Sequence, residues 1–418
     1  MKPPWEAGRV LTPKEFKGYL KQVMFDFRHC TIRPNEYGPF LDFAILLKPG
    51  EWPKLARLTE KLSQEVAAAG RELVRRPELY DSLGLRADIA EVLKACAPNC
   101  RPSGFAQVMR FDFCFTQEGW RFTEGNPDGP SGYIEAEGLT RGMEVYYPGF
   151  SAPPNPAAAY AAAIHRFGGN GAQVAFFHRA TRLDRLSPQY VLREVENRGM
   201  RGVLANPRQV KWKSNFAQVW TPTGNVRPDL LIRMVMSDWL PNLRHRDLWV
   251  PWFCGSKTPM SNPGSSIVVE SKRLPILYKE LDAPMSECRA YSPESRSPDE
   301  VPRRSQNQWV FKPAIGGGGR VIGIAGAMKK LAFEKIADEA RRNAVKWVAQ
   351  RRFEYVPVPT ERGPGHVCLG IYTVDGVATG IHARIRGKPL IDPLSMIIPI
   401  LIPRADLESR LAVSESGS

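Results

Sequence analysis

Nothing in this chain of 418 residues approaches the roughly 20 consecutive apolar residues that a bilayer-spanning helix needs. The amino terminus has no basic segment followed by an apolar stretch. The expectation is therefore a cytoplasmic protein with no membrane partner. Internal repeats and low-complexity tracts are absent too, which excludes solenoid and array architectures. Cysteine is sparse and scattered: Cys30, Cys96, Cys100, Cys114, Cys254, Cys288 and Cys368. Their number is odd, and Cys96 and Cys100 are the only close pair. With no second pair and no histidines nearby they do not make a zinc site, so they are expected to be reduced structural thiols.

What is present is ample for a folded interior, with 43% hydrophobic residues and 10 tryptophans. The length exceeds what one compact core serves comfortably, so two or three lobes are expected. The net charge of +15 is dispersed in small knots, among them Arg75-Arg76, Arg244-His245-Arg246, Arg303-Arg304 and Arg351-Arg352. Nucleic-acid binding asks for charge gathered on one element and interleaved with aromatics. A dispersed excess favours anionic ligands in general, nucleotides among them.

The periodicity alternates between helix and strand. Leu55, Leu58, Leu62 and Val66 recur at helical spacing and predict a helix over 54–75, and a second helix is expected over 88–95. Gln173 to Phe177 reads as a buried strand, Ser187 to Asn197 as a helix capped by Ser187, and Val203 to Ala205 as another strand. Strand, helix, strand suggests a small parallel-sheet unit. Pro228 to Met234 reads as a further strand. Asp375-Gly376, set between two strand-like runs, is the turn pair that best marks a two-residue hairpin.

The passage richest in chemistry is Arg110-Phe-Asp-Phe-Cys-Phe115 followed by Trp120-Arg-Phe-Thr-Glu-Gly-Asn126. Phe111, Phe113 and Phe115 alternate with Arg110, Asp112 and Cys114, the signature of a half-buried strand. A three-residue loop, Gln117-Glu118-Gly119, pairs Thr116 with Trp120 and sets Cys114 opposite Phe122, Asp112 opposite Glu124 and Arg110 opposite Asn126. Two facing carboxylates repel unless a cation or a proton lies between them. Magnesium carrying phosphate suits the place, since it takes one or two carboxylates and completes its shell with water and nucleotide oxygens. An ordinary solvated hairpin, with Arg110 pairing Asp112 or Glu124, fits the spacing equally well.

Further on, a strand ending in Lys312 runs into Gly316-Gly317-Gly318-Gly319. Glycines let backbone N–H groups approach phosphate oxygens, and a nearby lysine adds a point charge. The run has neither the lysine-serine/threonine ending of a P-loop nor the spacing of a dinucleotide fold. Lys272 lies 40 residues upstream, and Lys346 to Pro357, holding Gln350, reads as a strand entering a hinge.

Two lysines, a glycine loop and a glutamine hinge in that order resemble an ATP-grasp enzyme. The acidic hairpin comes before the lysines instead of after them, and this permuted order is similar to that of the glutathionylspermidine synthase family. That family bears an Arg-Phe-Asp-Phe strand and a Glu-x-Asn-x-Asp-x-Pro strand. This chain reads Arg110-Phe-Asp-Phe113 and Glu124-Gly-Asn-Pro-Asp-Gly-Pro130. The resemblance implies an α/β (α+β) ATP-grasp fold with permuted element order and a small Rossmann-like parallel-sheet unit. It implies ATP and magnesium, two ions being expected, as cofactors. Asp112, Glu124 and Asn126 would hold the metal. Lys272, Lys312, Gly316, Gly317, Gly318, Gly319 and Gln350 would hold ATP, and Arg110 and Arg384 would act in catalysis, with Arg386 the other candidate for the latter role.

The expected domains are a mainly helical part over 1–107, a metal-binding hairpin and loop over 108–150, and a Rossmann-like unit over 151–260. A small lobe with both lysines follows over 261–345, then the hinge and the remainder of the large lobe over 346–418. The implied reaction joins a small-molecule or peptide carboxylate to an amine through an acyl phosphate, releasing ADP and phosphate. No amino-terminal amidase with a Cys/His pair is evident, so only the synthetase half is expected. The turn after Asn126 departs from the family, as does Leu394 to Pro399, so glutathione and spermidine are not carried over as substrates. The alternative is an inactive or regulatory nucleotide-binding protein with a basic surface for nucleic acid.

Overall fold

The structure, a computed structural model, describes residues 3–25, 40–96, 105–316 and 321–409. It is a mixed α/β molecule containing several sheets. The largest is six-stranded and antiparallel, and it is built by two hairpins side by side. Val108–Thr116 pairs with Gly119–Asn126 on one edge and with Gly363–Val374 on the other, and Gly363–Val374 pairs in turn with Val377–Arg386. Asp375 and Gly376 both take positive φ, 49° and 85°, as the predicted two-residue turn requires.

The phenylalanine face of this sheet packs on the long helix Glu51–Leu73, the helix expected from its leucine spacing. Trp52, Leu55, Leu62 and Val66 meet Phe111, Phe113 and Ile371 in one core. Two polar ties fix the helix on the sheet: Ser63 Oγ lies 3.0 Å from Thr373 Oγ1, and Glu60 accepts the Ala378 N–H at 3.1 Å. Burying apolar area at about 25 cal/mol per Å² makes such a face the main source of stability. The opposite face is also closed over. Asp112 is 2% exposed and Cys114 0%, so Val108–Thr116 is not the half-buried strand its alternation predicts.

The parallel unit is present as expected, with Met260–Ser261, Leu230–Arg233, Gln173–Phe177 and Arg201–Ala205 side by side in that order. Its connecting helix runs from Arg182 to Glu196 and is capped by Thr181, whose hydroxyl accepts the Asp184 N–H at 3.2 Å. Ser187 is therefore inside the helix and not its cap; its hydroxyl instead accepts the Gly132 N–H. A smaller antiparallel sheet, Ser295–Arg296, Trp347–Arg351, Trp309–Pro313 and Gly323–Ile324, carries the helix Lys330–Arg342. The first segment is less purely helical than expected, because Trp5–Ala7 and Ile45–Leu47 join Ile400–Pro403 and Phe150–Ser151 in a further sheet.

The thiols require a correction. Cys96 and Cys254 form a disulfide, with Cα atoms 5.1 Å apart and 158 residues between them in sequence, so Cys254 is the partner that spacing alone concealed. Cys114, Cys288 and Cys368 are free, as predicted, and they are buried. Cys30 and Cys100 lie outside the described residues.

Candidate active site

The acidic hairpin positions its carboxylates by a route different from the one the sequence suggests. The loop has two residues, since Thr116 pairs with Gly119 and Phe115 with Trp120. A β-bulge at Thr123 then supplies the extra residue, so Phe113 faces Phe122 while Asp112 faces Glu124 and Arg110 faces Asn126. A bulge of this kind re-aims the residues beyond it. The Thr123 hydroxyl fastens it by donating to the Asp112 carbonyl at 2.8 Å.

Asp112 and Glu124 open into a cavity of about 270 Å³ beneath the small sheet. It is lined by the charged side chains of Asp112, Glu124, Lys272, Lys312 and Arg384, by the apolar ones of Val310, Ile324, Phe353 and Leu390, and by Gln350. Each cation arrives on a different element. Lys312 comes from Trp309–Pro313 in the small sheet, and Arg384 from Val377–Arg386 in the large one. Lys272 follows the short helix Ile267–Glu270, and its backbone N–H is held by the Ala314 carbonyl at 2.9 Å. Its ammonium donates to the Gly316 carbonyl at 2.6 Å and pairs with Glu124 at 3.3 Å.

The electrostatics follow from burial and pairing. Burial pushes the Glu124 carboxyl up, but Lys272, Lys312 and Arg384 together outweigh it and hold the group down at about 2. Burial lowers the Lys312 ammonium and Lys272 adds to this, against the attraction of Glu124. Burial acts on Lys272 in the same sense, yet Glu124 and Glu270 prevail and raise it. Lys272, Lys312 and Arg384 thus surround the ionised Glu124 carboxylate, an arrangement fit for a polyanion.

Arg110 grips Asp112 with two bonds, Nε to Oδ1 at 2.8 Å and Nη2 to Oδ2 at 3.2 Å, and donates to the Ser131 carbonyl at 3.0 Å. Arg384 Nη2 stands 3.9 Å from Asp112 Oδ2. Arg386, the other candidate, is taken up by Asp392 at 3.5 Å and by the Leu394 carbonyl at 2.8 Å, away from the cavity. The predicted site residues therefore divide. Asp112, Glu124, Lys272, Lys312, Gly316, Gln350 and Arg384 line the first cavity, whereas Arg110 and Asn126 line a second chamber of about 650 Å³ that Gly316 also borders. Gly317, Gly318 and Gly319 lie outside the described residues.

Among the described residues no group of three His, Cys, Asp or Glu side chains is gathered as for a metal held by protein alone. Two facing carboxylates with an amide at the ladder's end nevertheless match the small protein share of a nucleotide-borne magnesium. Asp112 and Glu124 share the first cavity and suit that ion, provided the arginine and lysine now paired to the carboxylates share them with it, whereas Asn126 lines the second chamber.

Three groups at the site were not singled out from the sequence. Glu270 is 4% exposed and accepts the Asp128 N–H at 3.1 Å. Burial, with Asp128 adding to it, pushes its carboxyl up to about 8. Asp128 is fully enclosed by Arg233 at 2.5 Å and by the N–H and hydroxyl of Ser237, both at 2.6 Å. That pair ties the turn after Asn126 to the end of a parallel strand. The alternation of Glu270 and Lys272 and the closing arginine of Pro228 to Met234 were the only signals in sequence.

No family model and no curated protein matches this chain. Among solved structures it is similar to a protein provisionally assigned as a gamma-glutamylcysteine synthetase from Methylobacillus flagellatus KT, with a TM-score of 0.43 and 10% identity over 78% of this chain and 88% of that one. A likeness so loose assigns nothing to this chain by itself.

Proposed function

We propose that the protein is an ATP-dependent carboxylate–amine ligase of the permuted ATP-grasp kind, working through an acyl phosphate. One observation carries the reading: Asp112, Glu124, Lys272, Lys312 and Arg384, drawn from five separate segments, converge on one cavity that Val310, Ile324, Leu390 and Gln350 also line. A triphosphate needs the charged side chains, and a purine needs the apolar ones.

In this reading adenine lies between Val310, Ile324 and Leu390 near Gln350, and Lys272 and Lys312 take the phosphates. Asp112, Glu124 and Asn126 would hold magnesium, which neutralises charge on the β- and γ-phosphates. Arg384 faces the transferred phosphoryl group, and Arg110 keeps the Asp112 carboxylate aimed while its own charge reaches the same region. The substrate carboxylate oxygen attacks the γ-phosphorus, and the bond to ADP breaks. The amine then attacks the acyl carbon, the carbon–oxygen bond to phosphate breaks, and the amine gives up a proton as the amide forms. Water has to be kept from the acyl phosphate, which it would otherwise hydrolyse.

The test is a screen for ADP release over amines crossed with amino acids and short peptides, with mass spectrometry of the product. ADP, phosphate and an amide mass support the reading. AMP and pyrophosphate would overturn the acyl-phosphate route, and nucleotide binding without turnover in every combination would favour the regulatory alternative.

A further inference from the structure

The net charge of +15 is dispersed along the sequence, but the fold gathers part of it on one surface. The segment joining Arg201–Ala205 to Leu230–Arg233, where a helix commonly makes the crossover, forms a three-stranded antiparallel sheet of Val210–Lys213, Phe216–Thr221 and Gly224–Val226. Its register divides it into two faces. Lys213 lies opposite Phe216, Lys211 opposite Gln218 and Asn225 opposite Trp220, so these six side chains share one face. Val210, Trp212, Ala217 and Val219 belong to the other, which joins the core. There Trp212 donates its indole N–H to the Leu248 carbonyl at 3.1 Å and meets Trp252 edge-on. None of the six outer residues lines either cavity of the candidate site.

The outer face interleaves rings with cations and carries no acid. Trp220 is 58% exposed, the only one of the ten tryptophans left in the solvent. Phe216 precedes it by four positions on the same strand, about 13 Å away at the rise of a β-strand. Arg227 stands 4.2 Å from the centre of the Phe216 ring, and Lys257 Nζ stands 5.4 Å from it. Lys211, Lys213, Arg227 and Lys257 form no ion pair among the described residues. The sequence from Asn197 to Pro228 holds no aspartate or glutamate at all, against six arginines and lysines. Cations gathered without counter-charges are complementary to a polyanion. A polyanion alone would have no use for the exposed indole, nor for the amides of Gln218 and Asn225 beside it.

We propose that this face binds a single-stranded polynucleotide. Its phosphates pair with Lys211, Lys213 and Lys257, and its unpaired bases stack on Trp220 and on the Phe216–Arg227 platform, since a guanidinium plane receives a base as an aromatic ring does. Gln218 and Asn225 supply donors and acceptors for base edges. A duplex keeps its bases stacked on one another and offers the rings nothing. An anionic bilayer would take the indole, but it would bury both amides without partners at a cost. The combination of rings, cations and amides on one open sheet therefore favours the unpaired strand. The surface lies outside the nucleotide cavity, so the proposal does not depend on the ligase reading.

The experiment titrates the full chain into a fluorescein-labelled thymidylate oligomer of about 12 nucleotides, read by fluorescence anisotropy. The competitors are the unlabelled strand, the same strand annealed to its complement, inorganic polyphosphate, and vesicles of phosphatidylserine and phosphatidylcholine. The expected result is binding that the unlabelled strand displaces far better than duplex, polyphosphate or vesicles at equal phosphate concentration. Trp220→Ala should weaken it about tenfold or more, and Trp220→Phe, which keeps a ring, by less than about threefold. Replacing Lys211 and Lys213 together by glutamine should reduce the slope of log affinity against log salt by about 1.4, at ~0.7 for each phosphate contact on a single strand. Thermal unfolding like that of the wild type shows that these exposed substitutions leave the fold intact. Absence of binding, equal affinity in wild type and Trp220→Ala, or displacement by polyphosphate as effective as by the strand overturns the proposal. Preference for the vesicles, abolished by Trp220→Ala, would assign the face to a membrane and overturn it equally.

Discussion

Gly370 sits directly across the ladder from Asp112, and a β-carbon on it would stand 2.7 Å from Arg110 Cδ and 2.9 Å from Asp112 Oδ1. The missing side chain leaves room for the bidentate grip of Arg110 on Asp112. Gly370→Ala must push that pair apart, because the atoms it meets are the middle of a tethered arginine and not a free tip. The expected outcome is a folded protein, by circular dichroism, whose ATP turnover falls at least about tenfold, the usual cost of misplacing a catalytic group. Turnover equal to wild type would show that the pair has no such role.

The two arginines of Val377–Arg386 should separate by their effects. Arg384 lines the first cavity and faces Asp112, whereas Arg386 is occupied by Asp392 and a loop carbonyl. Arg384→Gln should lower kcat by about 100–1,000-fold, as removal of a transition-state donor does. Arg386→Gln should change it by less than about tenfold, and steady-state kinetics on both variants decides.

Arg233 and Asp128, 0% and 1% exposed in their side chains, bind the turn after Asn126 to the parallel sheet. Removing one partner of such a buried pair leaves an uncompensated charge and costs about 3–5 kcal/mol. Asp128→Asn should lose stability on that scale in urea unfolding. A loss under about 1 kcal/mol would mean the turn is held by other contacts.

Glu270 gives a pH signature. Its carboxyl is raised from 4.5 to about 8 in the folded chain, so the folded state holds a proton that the unfolded state has released. Stability must then fall as pH rises from about 4.5 towards 8, since folding binds the extra proton across that window. Glu270→Gln can still accept the Asp128 N–H but cannot titrate. The stability of the variant relative to wild type should therefore rise between pH 5 and pH 8 in paired urea titrations. Parallel curves would show that the carboxyl does not hold the proton.

The sequence was most legible where local rules suffice. The leucine spacing of Glu51–Leu73 and the Asp375-Gly376 turn survive almost unaltered, because amphipathic period and turn chemistry are local. The facing of Asp112 and Glu124 was reached by a loop one residue too long, and the bulge at Thr123 supplied the same residue elsewhere. The face-switching count was right although its location was wrong. The Cys96–Cys254 disulfide and the Arg233–Asp128 pair join segments far apart in the chain. Spacing carries no trace of such contacts, which only tertiary packing creates. The same holds for the division of Arg110 and Asn126 from Asp112 and Glu124: adjacent strand positions look alike in sequence and open on different cavities.

The central claim is that the facing carboxylates and the two lysines form one magnesium-nucleotide site. Calorimetric titration of magnesium-ATP into wild type, Asp112→Asn and Glu124→Gln tests it most directly, with thermal unfolding as the control for fold. The account predicts binding by the wild type and a loss of affinity of about 100-fold, near 2.7 kcal/mol, in each variant. Equal affinity in all three proteins would contradict it.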